Sequence, residues 1–207
     1  MNGLVRIQKD IGDFKIIISA IKYIFQIGIT SKLNEESKRK IILTNKISFL
    51  LLVFTLGYLI IFYFLGYGFH SFLTLPFAFV FFSILLFNKI GLHTVSKVLF
   101  MATSVFGITI FSTAFGKEAG VQIVFCALLI LPFLLFEDNQ KDWMNFCVTL
   151  PFTGIFFLTY FDYTFLPKFE ASNKIILFFN LSISLVSFII VIASIRFFLF
   201  HGKKSFS

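Results

Sequence analysis

The chain has 207 residues, of which 58% are hydrophobic and only 14% charged, with a net charge of +8. Water-soluble domains carry roughly 25% charged residues, so the composition excludes an ordinary soluble domain. The apolar residues, 34 Phe among them, come in long blocks and not in the two-residue alternation of half-buried strands.

Residues 11–29 read IGDFKIIISAIKYIFQIGI. Lys15, Ser19, Lys22 and Gln26 fall on one helical face, and Ile and Phe cover most of the rest. This pattern predicts an amphipathic helix lying in the membrane interface, lysines toward the headgroups. A further membrane span is the alternative, and it would bury both lysines. The opening residues mix Lys, Asp and Glu with apolar residues, so no secretory signal peptide is expected. Asn34 then reads as an N-cap, with Glu35 and Glu36 at the positive end of a helix. SKRK follows without a breaker, which predicts one helix from about Glu35 through Tyr67.

Six apolar runs follow, at about 47–67, 71–87, 98–115, 119–136, 144–161 and 175–195. About 20 residues at 1.5 Å rise cross a hydrocarbon core, so runs of this length predict membrane-spanning helices. The alternating strands of roughly 10 residues that a transmembrane barrel needs are absent from the sequence. The expected fold is therefore an all-α integral membrane bundle of six transmembrane helices with an N-terminal interfacial helix. Residues 1–33 form its cytoplasmic N-terminal segment, 34–200 the transmembrane domain, and 201–207 the start of a tail or linker. All but Lys117, Lys168 and Lys174 of the 18 Lys and Arg residues fall on one side of this topology. Positive charge marks the cytoplasmic side, so both termini are expected inside. The net charge then implies attraction to an anionic leaflet and not nucleic-acid binding.

Between the third and fourth runs lies FGKEAGVQIVF. Lys117 and Glu118 sit at an outer helix mouth, with Glu118 favoured at a helix N-terminus. Gly116 and Gly120 form a small-xxx-small pair that allows close helix approach. One reading is a polar turn with tight packing. The other is the rim of an outer pocket, completed by Gln122, Asp162, His70 and Tyr160, where a small polar or amphiphilic ligand is met. In the last run Asn180, Ser184, Ser187 and Ser194 share a face at heptad spacing, with Val191 in the gap. That face packs within the bundle or forms the seam of a homodimer. Glu137, Asp138 and Asp142 read as a solvated cytoplasmic turn or as a partner-docking patch. Cys126 and Cys147 read as small apolar packing residues. No nucleophile–base set, metal-ligand cluster or phosphate-cradling loop is present in the sequence, so neither a metal nor a cofactor is expected.

The stretches YIFQIGI, EESKRKIILTNKISFLLL, FGKEAGVQIVFCALLILPFLLFE and the closing run to RFFLF, in this order, resemble a known arrangement. It is the six-helix membrane domain of bacterial sensor histidine kinases and class III adenylate or guanylate cyclases. The resemblance covers about Lys22 to Phe200 and marks Lys117, Glu118, Gly120 and the stretch 132–137. It implies a unit of the bacterial inner membrane that anchors, dimerises, senses and passes a signal along a cytoplasmic helix. No kinase or cyclase domain is expected in this chain, so catalytic activity is not carried over. The alternatives are a small integral-membrane transporter or a scaffold subunit. The near absence of ionisable groups in the middle of the runs argues against a carrier.

Overall fold

The computed structural model describes residues 15–117, 120–166 and 172–202. Glu118 lies outside them, as does the side chain of Ser194. Among the described residues all regular structure is helical: α1 (15–25), α2 (Glu35–Phe64), α3 (Gly68–Lys89), α4 (His93–Phe115), α5 (Val124–Leu135), α6 (Lys141–Tyr160) and α7 (Asn173–Gly202). Short 3₁₀ turns, Val121–Ile123 and Asp138–Gln140, lead into α5 and α6.

Among the described residues five segments are long and apolar enough to cross a bilayer: Glu35–Phe64, Gly68–Lys89, His93–Phe115, Asp138–Tyr160 and Lys174–Ile192. The chain thus has the helices of a multi-pass membrane protein. Their outer faces carry exposed Phe79, Phe156, Phe188 and many other large apolar side chains. Soluble monomers do not present contiguous apolar surface on this scale. α4 is the central helix. Inside the chain 67% of its most apolar stretch is buried, against 22% for those of α2, α6 and α7.

The fourth expected span differs. Here the helix is the 12-residue α5, preceded by one 3₁₀ turn. At 1.5 Å per residue it reaches ~18 Å, short of a ~30 Å core. Gly120 is left-handed (φ +66°) and Phe136 is extended, so the helix cannot propagate past either. Irregular backbone at membrane depth is tolerated only where protein covers it. Both ends meet that condition, since Val121 is 4% and Phe136 2% exposed.

α2 starts as its sequence suggests: the Asn34 side chain accepts from the Ser37 N–H at 2.7 Å. It ends at Phe64, three residues early, where Gly66 (φ +81°) turns the chain into α3. The helical part of α1 leaves Ile16, Ile17 and Tyr23 exposed together with its lysines. Its C-terminal end is clasped to the bundle. Asn45 donates to the carbonyls of Phe25 (3.2 Å) and Ile27 (2.9 Å), and Asn88 donates to Asn45 at 2.7 Å. Gly28 (φ +82°) lies so close to the Asn88 carbonyl that an added Cβ would sit 2.1 Å from its oxygen.

Several hydroxyls inside the bundle bond within their own helix. Thr44, Thr109, Thr113 and Ser187 donate to carbonyls three or four residues back. Others join helices toward their ends: Tyr58 and Ser182 link α2 to α7 at 2.8 Å, Ser71 donates to the Leu59 carbonyl of α2 at 3.0 Å, and Ser96 to the Ile84 carbonyl of α3 at 3.0 Å.

Candidate functional site

Among the described residues, two polar ends and an apolar cavity between them stand out. At the first end α2 finishes, α3 begins, α4 finishes and α7 begins. Phe62, Phe115 and Phe179 meet there, with ring centroids 4.7–5.8 Å apart. The described rim residues expected from the sequence fall on this side, each in its own setting. Lys117 is exposed, and its carbonyl accepts from Gln122 Nε2 at 3.3 Å. His70 is instead buried in the first turn of α3, its ring 5.9 Å from that of Phe62. Asp162 and Tyr160 are exposed at the end of α6. Asp162 holds a left-handed turn (φ 44°), and Tyr160 lies against Phe156 and Phe161.

One further expectation is corrected by the backbone. Gly116 (φ +77°) and Gly120 (φ +66°) are not one turn apart on a helix face, because both are left-handed and flank the break between α4 and α5. Their role is to turn the chain, and Gly120 in addition lets Asn180 Nδ2 approach to 3.2 Å of where a Cβ would stand. The described polar residues of α7 turn inward, the first of the two readings of that face. Asn180 meets that glycine, Ser184 Oγ donates to Asn180 Oδ1 at 3.4 Å, and Ser187 and Ile190 are buried. Within the chain this face packs in the bundle, while Leu181, Leu185 and Phe188 point out.

The opposite end carries a polar network that the sequence reading left as separate flanking charges. Lys97, in the second turn of α4, is 1% exposed. Its Nζ lies 3.2 Å from Gln140 Oε1, 3.9 Å from Glu137 Oε1 and over the Phe136 ring. Ser37 Oγ donates to Glu137 Oε1 at 2.8 Å, and Gln140 donates to Thr94 at 2.9 Å. Lys40 donates to the Phe136 carbonyl at 2.6 Å and pairs with Glu36 at 2.6 Å. The start of α2, the start of α4 and the α5–α6 connection are thereby locked together. Glu137 is part of this lock, whereas Asp138 and Asp142 are exposed. A signal for it was present: Glu137 directly follows PFLLF, where a carboxylate needs a partner.

Between the two ends lies a cavity of about 150 Å³. Its walls come from Phe54 of α2, Phe77 of α3, Ser104 and Gly107 of α4, and Leu128 of α5. α7 closes it with Ile183, Val186 and Ile190. Tyr58 and Thr74 also line it but direct their hydroxyls elsewhere, to Ser182 and to the His70 carbonyl. Ser104 is 5% exposed and its Oγ has no hydrogen-bond partner among the described residues. The Ser48 and Ser112 hydroxyls are also unpartnered but do not face the cavity. No single residue type announces such a space, because small and β-branched residues on five helices create it jointly.

A scan against protein-family models finds no match, and no curated protein or solved structure matches the chain either.

Proposed function

We propose that this chain is a sensing and anchoring unit of a bacterial inner membrane that dimerises and relays a signal through α7 to a cytoplasmic output domain or partner. The observation that carries the reading is the cavity, because α7 supplies one of its walls. A guest there contacts four earlier helices and the last one together. It shifts the position of α7 whenever it binds two arrangements of that wall unequally. The lysine-rich end, with Lys38, Arg39, Lys40, Lys46, Lys89 and Lys141, faces the cytoplasm in this reading. α7 then leaves the bilayer on that side, where an output element is reached. The resemblance to sensor kinase and cyclase membrane domains points the same way.

The test uses native membranes. Leu185→Cys, on an exposed position of α7 and in a Cys126→Ser background, reports α7–α7 proximity by disulfide cross-linking. Val124→Phe fills the cavity from α5. The expected result is a cross-linked dimer whose rate of formation changes several-fold on filling. A cross-linking rate identical in filled and unfilled chains, or no dimer at all, counts against the relay. Reporter fusions that place the two termini in different compartments count against the topology.

A further inference from the structure

We infer that an acyl chain of an anionic bilayer phospholipid enters the cavity sideways, through a gap between α2 and α7, with its headgroup held by Lys46 and Arg196. This deepens the proposed function and rests on its reading of the cavity as the ligand site.

The gap shows in the register of the two helices. Tyr58 of α2 and Ser182 of α7 are joined at 2.8 Å, and beyond them the rings of Phe62 and Phe179 stack with centroids 5.5 Å apart. Away from this sealed end α2 and α7 make almost no contact. Ser182, Ile189 and Arg196 are seven residues apart and so share one face of α7. Ser182 aims that face at α2, yet Ile189 is 41% exposed. Leu51, Phe54 and Thr55 of α2 line the cavity and are only half-buried. A Cβ added at Gly57 would meet nothing within 4 Å. The back wall on α4, with Phe100, Thr103 and Ser104, is by contrast buried. α7 thus covers the cavity without sealing against α2, and the open side faces the hydrocarbon that surrounds helices this apolar.

The wall selects the guest. Thr55, Thr74 and Thr103 are among the lining residues, yet nearly all of the cavity surface is apolar. The Ser104 hydroxyl is buried out of reach. A polar guest gives up its own partners and gains none, whereas a hydrocarbon chain gives up nothing. The length agrees. Lys46 precedes Tyr58 by 12 residues and Arg196 follows Ser182 by 14. The two helices run in opposite directions, so both cations lie ~18–21 Å from the Tyr58–Ser182 bond, on the same side of it. One acyl layer is ~15 Å deep, half of a ~30 Å core. A headgroup level with the cations therefore sends its chain along the gap to end near the rings that seal it. Lys46, 5.6 Å from the Phe25 ring centroid, and Arg196 are both exposed. Neither α7 nor α2 beyond Glu36 carries an acidic residue, so the complement to this mouth is an anionic headgroup.

The full chain in lipid nanodiscs tests this with phospholipids that carry a diazirine near the end of one acyl chain, adducts being mapped by mass spectrometry. Expected are adducts on the α4 wall at Thr103 and Gly107, which surrounding lipid cannot reach, besides those on the outward Val53 and Ile60. Phosphatidylglycerol should label the wall more than phosphatidylcholine by roughly 2- to 5-fold, and Lys46→Gln with Arg196→Gln should remove that preference. Val124→Phe should abolish the wall adducts and leave those on Val53 and Ile60. Ile183→Phe, on another helix, repeats the filling if Val124→Phe does not fold. An unlabelled wall in the unaltered chain overturns the proposal. So do wall adducts that survive filling, equal labelling by the two headgroups, or labelling by a free photoreactive fatty acid alone. The two readings fail separately. Wall adducts in a chain whose α7 cross-linking ignores filling sink the relay and leave the lipid site standing. Cross-linking that responds to filling in a chain whose wall stays unlabelled does the reverse.

Discussion

Replacing Glu137 by Gln isolates a charge without altering shape. The amide is isosteric and still accepts from Ser37, which now donates to Glu137 at 2.8 Å. What disappears is the negative charge 3.9 Å from the Lys97 Nζ. At that distance two unit charges interact by about 4 kcal/mol at an effective dielectric near 20. Glu137 is 21% exposed, so solvent screens part of this, and a buried lysine can shed its proton once the carboxylate is gone, so a loss of about 1–2 kcal/mol is expected. Lys97 keeps only its contact with Gln140 and the Phe136 ring, and its side chain is 1% exposed. A buried charge without its counter-charge is the costly state. Lys97→Met removes that charge altogether, leaves Glu137 partly solvated and bonded to Ser37, and should cost no more than about 1 kcal/mol. The double variant should resemble Lys97→Met. Unfolding by SDS in mixed micelles, followed through Trp143, the one Trp in the sequence, measures all three. A Lys97→Met chain at least as unstable as Glu137→Gln would refute the idea that the carboxylate is there to neutralise the lysine.

Other outcomes follow from local geometry. Gly28→Ala forces a side chain into a left-handed backbone and against the Asn88 carbonyl, with its Cβ 2.1 Å from the oxygen. The conformation alone costs about 1–2 kcal/mol, so the α1 end should detach, and proteolysis after Phe25 should accelerate while the bundle stays folded. Gly154 is enclosed by the Phe125 ring and Thr109, 2.9–3.0 Å from an added Cβ. Gly154→Leu should therefore lower stability in the same micelle assay by about 1–3 kcal/mol, the usual range for overpacking. Asn34→Ala removes the N-cap bond to Ser37 and should cost about 1 kcal/mol, visible as a lower midpoint of unfolding.

The helices long and apolar enough to cross a membrane were legible because hydrophobic length is a local property: an uninterrupted apolar run announces a helix that hydrocarbon can surround. Asn34 was legible for the same reason, since a cap acts within one turn. α5 was not. Its run of apolar residues has the length of a span, but its ends are set by backbone turns at Gly120 and Phe136 and by the protein that covers them. For the rim residues the side of the bundle was legible but the orientation was not. His70 lies in the expected turn, yet rotation of α3 buries it against Phe62, while Asp162 is turned outward by its own backbone. Lys97 looked like a flanking positive charge. Its burial depends on Glu137 and Gln140, which are distant in the chain and reach it only through tertiary packing. The inward direction of the Asn180–Ser187 face was one of two readings, and its choice required knowing which side of α7 meets α5.

The hydroxyls of Thr44, Thr109, Thr113 and Ser187, each turned back onto its own helix, have a mechanical consequence. The middle of the bundle is joined mainly by dispersion forces, which have little directional preference. Helices there can slide past one another by small amounts without rupturing a polar link. The amide clasp at Asn45–Asn88 and the Lys97–Glu137 lock fasten one extremity, and Tyr58–Ser182 fastens α2 to α7 nearer the other. The assembly is thus lubricated in its waist and bolted toward its extremities, so deformation concentrates where the hollow lies.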